Sequence, residues 1–222
     1  MTTTTQTAPI AAAFARARAA GRVALIPYVM SGYPDEATSE AVGIALGEAG
    51  ADIIELGVPF SDPLADGATI QVASERALAN GMTLRKAVTL AARVAACVST
   101  PLVLMGYYNP IFSYGIATFC ADAAAAGVAG LIVPDLPPEE SATLQQAAAE
   151  HGIELVFLVT PTSTDARIAQ VAEAAGRTGG GFIYCVSLSG VTGARDRLPD
   201  GLAMFIARVR SHTSLPLAIG FG

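Results

Sequence analysis

The sequence predicts an α/β fold, a (β/α)8 TIM barrel, built as one domain over residues 1–222. Three observations carry that expectation. Short runs rich in Val, Ile and Leu alternate with Ala-rich stretches along the chain. The runs are apolar throughout, as in parallel strands covered on both faces. No linker, charge block or low-complexity break interrupts residues 22–222, so one barrel is preferred to two domains. A doubly wound open sheet is the runner-up. Its GxGxxG nucleotide fingerprint is absent, and "MSGYPD" follows the first strand instead.

The elements follow in order. The Thr-rich residues 1–8 are expected to be a disordered lead. A short amphipathic helix follows, with Ile10 and Phe14 four apart on one face and Gly21 as its stop. A transit peptide shares this Ala/Arg-rich composition, and the periodicity favours the helix. Strands are expected at 23–29, 52–57, 101–106, 130–135, 154–159, 181–187 and 216–220. Helices are expected at 35–49, 83–98, 114–126, 138–151, 164–175 and 199–211, where Ala, Leu, Glu, Gln and Arg dominate. Thr164 and Asp165 suit a helix start, and Gly127 and Gly152 suit stops. Seven strands are counted where such a barrel has eight. The expectation is a barrel truncated after strand seven, with strand eight and its helices missing.

Composition excludes several classes. A formal charge of −6 offers no electrostatic footprint for nucleic acid. Backbone N–H groups can still bind a small phosphate. No run reaches the ~18 apolar residues of a membrane helix. Cys97, Cys120 and Cys185 are far apart, as expected of free thiols in a reducing cytoplasm. His151 and His212 stand alone at expected helix ends, away from any metal-ligand pattern.

In such barrels the chemistry lies at the C-terminal ends of the strands. The stretch "DIIELGVPFSDPLADG" (52–67) places Glu55 near one such end. Its side chain shares a face with Ile53 and Gly57, so it points into the barrel or toward the helices, and neither is bulk water. It is either a structural carboxylate or an acid/base raised toward neutrality by desolvation. Asp62 precedes Pro63 and suits a turn. Asp66 precedes Gly67 and a helical run from Ala68, so it either caps that run or acts as a second carboxylate. "SLSGVTG" (187–193) and "IGFG" (219–222) are glycine-rich loops at adjacent strand ends, suited to holding an anion. Tyr184 would line the pocket between them.

These residues carry a resemblance. "IPYVMSGYPD" (26–35), "ELGVPFSDPLADG" (55–67), "YYNPIF" (107–112), "GLIVPDLPPEES" (130–141) and "SLSGVTGARD" (187–196) resemble, in order and spacing, the landmarks of the tryptophan synthase α subunit family. The resemblance covers residues from about Ile10 to Gly222. It implies a lyase that cleaves indole-3-glycerol phosphate to indole and D-glyceraldehyde 3-phosphate, with no metal or organic cofactor. It also implies a pyridoxal-phosphate-dependent β subunit as partner, in an α2β2 complex. By position, Glu55 matches the family's general acid/base, Asp66 the carboxylate that stabilises charge on the indole nitrogen, and Tyr184 a pocket tyrosine. Tyr28, Met105, Tyr107, Ile132, Leu158, Thr192 and Phe221 match the substrate pocket. Gly193, Gly220 and Gly222 match the phosphate site, and Pro59, Asp62 and Pro63 the partner contact.

Leu188 departs from the Arg that many members carry there. If the native chain ends at Gly222, weak or absent activity is expected. A standalone indole-producing lyase and a non-catalytic binding barrel are the alternatives, and the second would predict loss of the site acids. A Schiff-base aldolase is disfavoured, because the one lysine, Lys86, falls in an expected helix.

Overall fold

Seven parallel strands pair in chain order in a computed structural model of the protein, which describes residues 8–177, 181–187 and 201–220. They are β1 (Tyr28–Met30), β2 (Ile54–Gly57), β3 (Leu102–Met105), β4 (Val128–Ile132), β5 (Glu154–Val159), β6 (Ile183–Val186) and β7 (Leu217–Gly220). Each strand pairs with the next one in sequence, so every connection is a crossover that lays helix on the outer face. The helices are α1 (Pro9–Ala19), α2 (Glu36–Glu48), α3 (Ala68–Ala79), α4 (Leu84–Cys97), α5 (Tyr108–Tyr114), α6 (Ile116–Ala125), α7 (Ala142–Glu150), α8 (Asp165–Arg177) and α9 (Leu202–Arg210).

Local chemistry sets the helix ends. The Asp35 carboxylate accepts from Thr38 N–H at 2.8 Å and so starts α2. Thr83 does the same for α4 through Lys86 N–H. Arg93 of α4 then reaches Glu36 and Glu40 of α2 at 2.7 and 2.6 Å, tying neighbouring helices across the sheet's outer face.

The apolar core has two layers. The outer layer packs sheet against helices and includes Ile54, Leu56, Leu90, Leu104, Leu131 and Phe157. The inner layer fills the curl of the sheet with Ile53, Val103, Ile132, Val156 and Phe182. Ile10 and Ala13 of α1 join this inner layer. A Cβ on Gly130 would come within 2.8 Å of Ile10 Cδ1, so that glycine makes room for α1 against the sheet. Phe14 packs its ring on Phe182 at 5.6 Å. Burying a side chain such as Ile10 is worth about 1.5–3 kcal/mol.

Several boundaries differ from the sequence reading. The first strand is expected at 23–29 and lies at Tyr28–Met30. Pro27 has no N–H to give a ladder. The preceding segment is instead pinned to Asp52, which takes two hydrogen bonds from the Arg22 guanidinium and one from Leu25 N–H. Val23 and Leu25 are left exposed. The helix expected over 114–126 is two helices, α5 and α6, divided at Gly115, whose φ of 93° interrupts a right-handed helix. Pro110 falls in the first turn of α5, where no N–H is needed. The helix expected over 138–151 begins as a separate 3-10 turn, Pro138–Glu140.

Close approach also fixes the upper sheet. A Cβ on Gly57 would collide with the ring and hydroxyl of Tyr28 on the neighbouring strand. Gly57→Ala is therefore expected to lower stability by about 1–3 kcal/mol in denaturant unfolding. The double variant Gly57→Ala/Tyr28→Ala should be less destabilised than the sum of the singles.

A second carboxylate lies inside the barrel. Glu154 shares the inward face of β5 with Val156. It is 2% exposed, and the Gly181 backbone, the polar group beside its carboxylate, lowers its pKa less than burial raises it. Gly181 packs against it so closely that a Cβ would lie 2.7 Å from Oε2. Burial pushes its pKa up to about 7 from 4.5. Such a group binds its proton more tightly folded than unfolded. Its stabilising contribution is complete below about 4.5 and is lost as pH rises through about 7. Unfolding free energy should fall between pH 5 and pH 8, and Glu154→Gln should remove about 2–3 kcal/mol of that fall in paired denaturation curves.

Candidate active site

Glu55 projects from the inner face of β2, between Ile53 below and Gly57 above. The residue is 2% exposed, and Oε1 has no hydrogen-bond partner among the described residues. Burial drives its pKa up to about 8, and the negative charge of Asp66 adds to the rise. Tyr28 stands opposite Glu55 on β1. Tyr28, Glu55 and Tyr184 reach a groove of about 770 Å3 that runs between α1 and β7. Burial raises both tyrosine hydroxyls, and Glu55 contributes to each. They remain protonated donors at neutral pH.

The loop from Val58 to Gly67 brings Asp66 to this end of the sheet. Val58 N–H donates to Met105 O at 2.7 Å at the loop's root. Phe60 is held at both backbone groups by one side chain: its N–H donates to Ser74 Oγ at 2.9 Å, and Ser74 Oγ donates to its carbonyl at 3.0 Å. Two short turns follow, Leu64 N–H to Asp62 O and Asp66 N–H to Pro63 O. Asp66 does not cap α3, which starts at Gly67 without a side-chain cap. Its half-buried carboxyl is raised by burial and lowered by a hydrogen bond from the Tyr107 hydroxyl. Glu55 and Asp66 thus occupy unlike surroundings, one dry and unpartnered, the other partly wet and hydrogen-bonded.

The remaining candidates divide three ways. Met105, Ile132, Leu158 and Tyr184 all belong to the inner layer. Gly220 ends β7, where the Tyr184 ring occupies the place of its missing Cβ and its carbonyl accepts from Ser187 Oγ at 2.8 Å. Thr192, Gly193, Phe221 and Gly222 lie outside the described residues, as does Leu188. Of the three expected partner contacts, Asp62 is exposed and Pro63 half-buried, whereas Pro59 is buried. Pro59 lies two residues past the end of β2 and lines an apolar pocket with Val58 and Phe60. Leu64, unremarked in the sequence, is 94% exposed on the same loop. Ser74 was also missed. A lone serine in a helix gives no local sign of a bond fourteen residues back.

Among the described residues, no group of three or more His, Cys, Asp or Glu is placed to hold a metal ion, and no helix is long and apolar enough to cross a membrane. His151 ends α7, and His212 follows α9 with Nε2 3.8 Å from Asp165. Cys97, Cys120 and Cys185 are free. The arrangement suits proton transfer at an apolar ring beside a fixed anion.

Comparison with known proteins agrees in sequence and in fold. The family model described as "Tryptophan synthase alpha chain" matches residues 14–222. The tryptophan synthase alpha chain of Roseiflexus castenholzii is 57% identical over 214 residues, covering 96% of this chain and 80% of the relative. That of Citrifermentans bemidjiense is 54% identical, covering 94% and 77%. Among solved structures, Mycobacterium tuberculosis tryptophan synthase superposes with a TM-score of 0.89 at 41% identity, covering 96% of this chain and 80% of that one. A chain of the Pyrococcus furiosus tryptophan synthase α2β2 complex superposes with a TM-score of 0.83 at 42% identity, covering 90% and 78%. Breadth of match, identity and shared fold lead to one conclusion: this chain belongs to the tryptophan synthase alpha chain family.

Proposed function

We propose that this chain is the lyase of the α reaction of tryptophan biosynthesis, cleaving indole-3-glycerol phosphate, with Glu55 as its general acid/base and Asp66 as its fixed anion. The observation that carries the assignment is the pairing of two carboxylates in unlike surroundings at the mouth of β2, with Glu55 raised to about 8.

The chemistry follows from those surroundings. Breaking the bond between indole C3 and the glycerol chain first requires a proton on C3. Glu55, protonated at neutral pH, supplies it. The ring nitrogen becomes iminium-like, and Asp66 accepts its N–H and balances its charge. The Glu55 carboxylate then takes the proton of the adjacent glycerol hydroxyl. The C–C bond electrons return to the ring, giving neutral indole and the aldehyde, and Glu55 is protonated again. Met105, Ile132 and Leu158 offer the apolar walls, with Thr192 and Phe221 completing them. Gly193, Gly220 and Gly222 hold the phosphate, remote from the reacting carbon, where its binding energy orients the substrate. In this reading the chain needs no cofactor, and pyridoxal phosphate belongs to the β subunit. That partner docks on the loop bearing Pro59, Asp62, Pro63 and the exposed Leu64, giving an α2β2 assembly in the cytoplasm.

Indole release from indole-3-glycerol phosphate by the purified chain tests the assignment. Glu55→Gln is expected to lower turnover by about 10²–10⁴-fold while the circular dichroism spectrum is unchanged. Near-normal turnover in that variant sinks the acid/base role. Because Glu55 must begin protonated, kcat/KM should decline as pH rises above about 8.

A further inference from the structure

Asp66 sits on an exposed loop, yet a charge-stabilising group must hold its place to within a fraction of an ångström. Ser61, Asp62, Leu64 and Ala65 are all exposed. Ser74 clamps the near half of the loop at Phe60. Beyond Phe60, among the described residues, the hydrogen bond that reaches across to a neighbouring strand end comes from Ala65 N–H to Tyr107 Oη at 2.9 Å. Tyr107 follows β3 directly. Its ring is 5% exposed and packs on Phe60 with centroids 5.1 Å apart. The hydroxyl is therefore carried by a rigid, buried ring rather than by the loop it holds.

The direction of its bonds follows from valence. A phenol has one proton to donate. Its oxygen already accepts from Ala65 N–H, so its one proton is left for the neighbouring Asp66 carboxyl, whose pKa that hydrogen bond lowers. One hydroxyl thus fixes the backbone before Asp66 and the side chain of Asp66 together.

We propose that Tyr107 is the positioning residue for Asp66, anchoring the loop so that its carboxylate is aimed into the site, rather than a wall of the indole pocket. The catalytic part rests on the assignment of Asp66 as the anion beside the indole nitrogen. The contact itself does not, and the experiment separates the two. A hydrogen bond to the charged form lowers a carboxyl's pKa, so its loss raises it.

Titration of side-chain carboxyl 13C resonances in the unliganded protein should show the Asp66 midpoint moving to higher pH in Tyr107→Phe. The same midpoint should stay put in Ser74→Ala, which frees the loop at Phe60 but leaves the hydroxyl in place. An unmoved midpoint in Tyr107→Phe, or an equal movement in both variants, overturns the proposal. In turnover, Tyr107→Phe should lower kcat about 10–100-fold, as expected for a lost hydrogen bond to a charged group, and change KM less than about threefold. The acid limb of its pH–kcat profile should move upward, and in an Asp66→Asn background the substitution should have no further effect. A raised KM with unchanged kcat overturns the positioning role in favour of a pocket wall. Unimpaired turnover by Asp66→Asn itself overturns the catalytic assignment, and the titration still decides the contact.

Discussion

The burial of Glu55 is the constraint on which the site depends. A parallel strand covered on both faces has no wet side, so any charge on it must be neutralised, paired or moved to the strand's end. Glu55 takes the first course. The inner layer of Ile53, Val103 and Val156 keeps water from its surroundings, and α1 seals that layer with Ile10 and Ala13. A carboxyl so placed keeps its proton to about pH 8, whereas the same group in water gives it up near 4.5. Packing by α1, remote in sequence from every candidate catalytic residue, therefore helps set the protonation of the proposed acid.

Glu154 is the control that nature provides within the same barrel. It too faces inward, is equally buried and is raised by the same cause. Its surroundings differ. Glu154 lies at the first residue of β5, against Gly181, whereas Glu55 reaches a groove shared with Tyr28 and Tyr184 and feels the charge of Asp66. A perturbed carboxyl alone marks burial. It marks a site when a partner of different protonation and a path for substrate lie beside it.

The same contrast explains what was legible in the sequence. Strand–helix alternation reads from local composition, and β5 falls where its apolar run predicts, Glu154–Val159. Local exceptions with local causes, such as Pro27 and Gly115, shift boundaries without altering the order of elements. Glu55 was legible because it is a misfit in its own strand. Asp66 was ambiguous, since helix capping and catalysis ask for the same residue before the same helix. The structure decides against the cap at Gly67. Tyr107, Ser74 and Pro59 were illegible in their roles. Each depends on a partner brought close by the fold: Tyr107 lies 42 residues from Ala65, Ser74 14 from Phe60, and Pro59 is enclosed only because β3 and α5 pack beside it.

The two carboxylates also make sense as a pair that is balanced only during reaction. Without substrate, two ionised groups that feel one another's charge repel, and the pair resolves this by leaving the proton on Glu55, the drier member. In the proposed reaction, moving that proton to indole C3 would leave both groups negative. The move is unfavourable unless a positive charge arises between them at the same moment. The iminium-like ring is that charge. A neutral indole in the ground state draws little on the Asp66 anion, whereas the cationic intermediate draws on both carboxylates at once. Such a site favours the charged species over the substrate, which is the differential binding that lowers a barrier. The proposed reaction also gives a reason for the rigid phenol that holds the backbone before Asp66, and for a Glu55 Oε1 without a partner among the described residues. The stabilising anion must stay fixed, and the proton shuttle must be able to turn between the ring carbon and the glycerol hydroxyl.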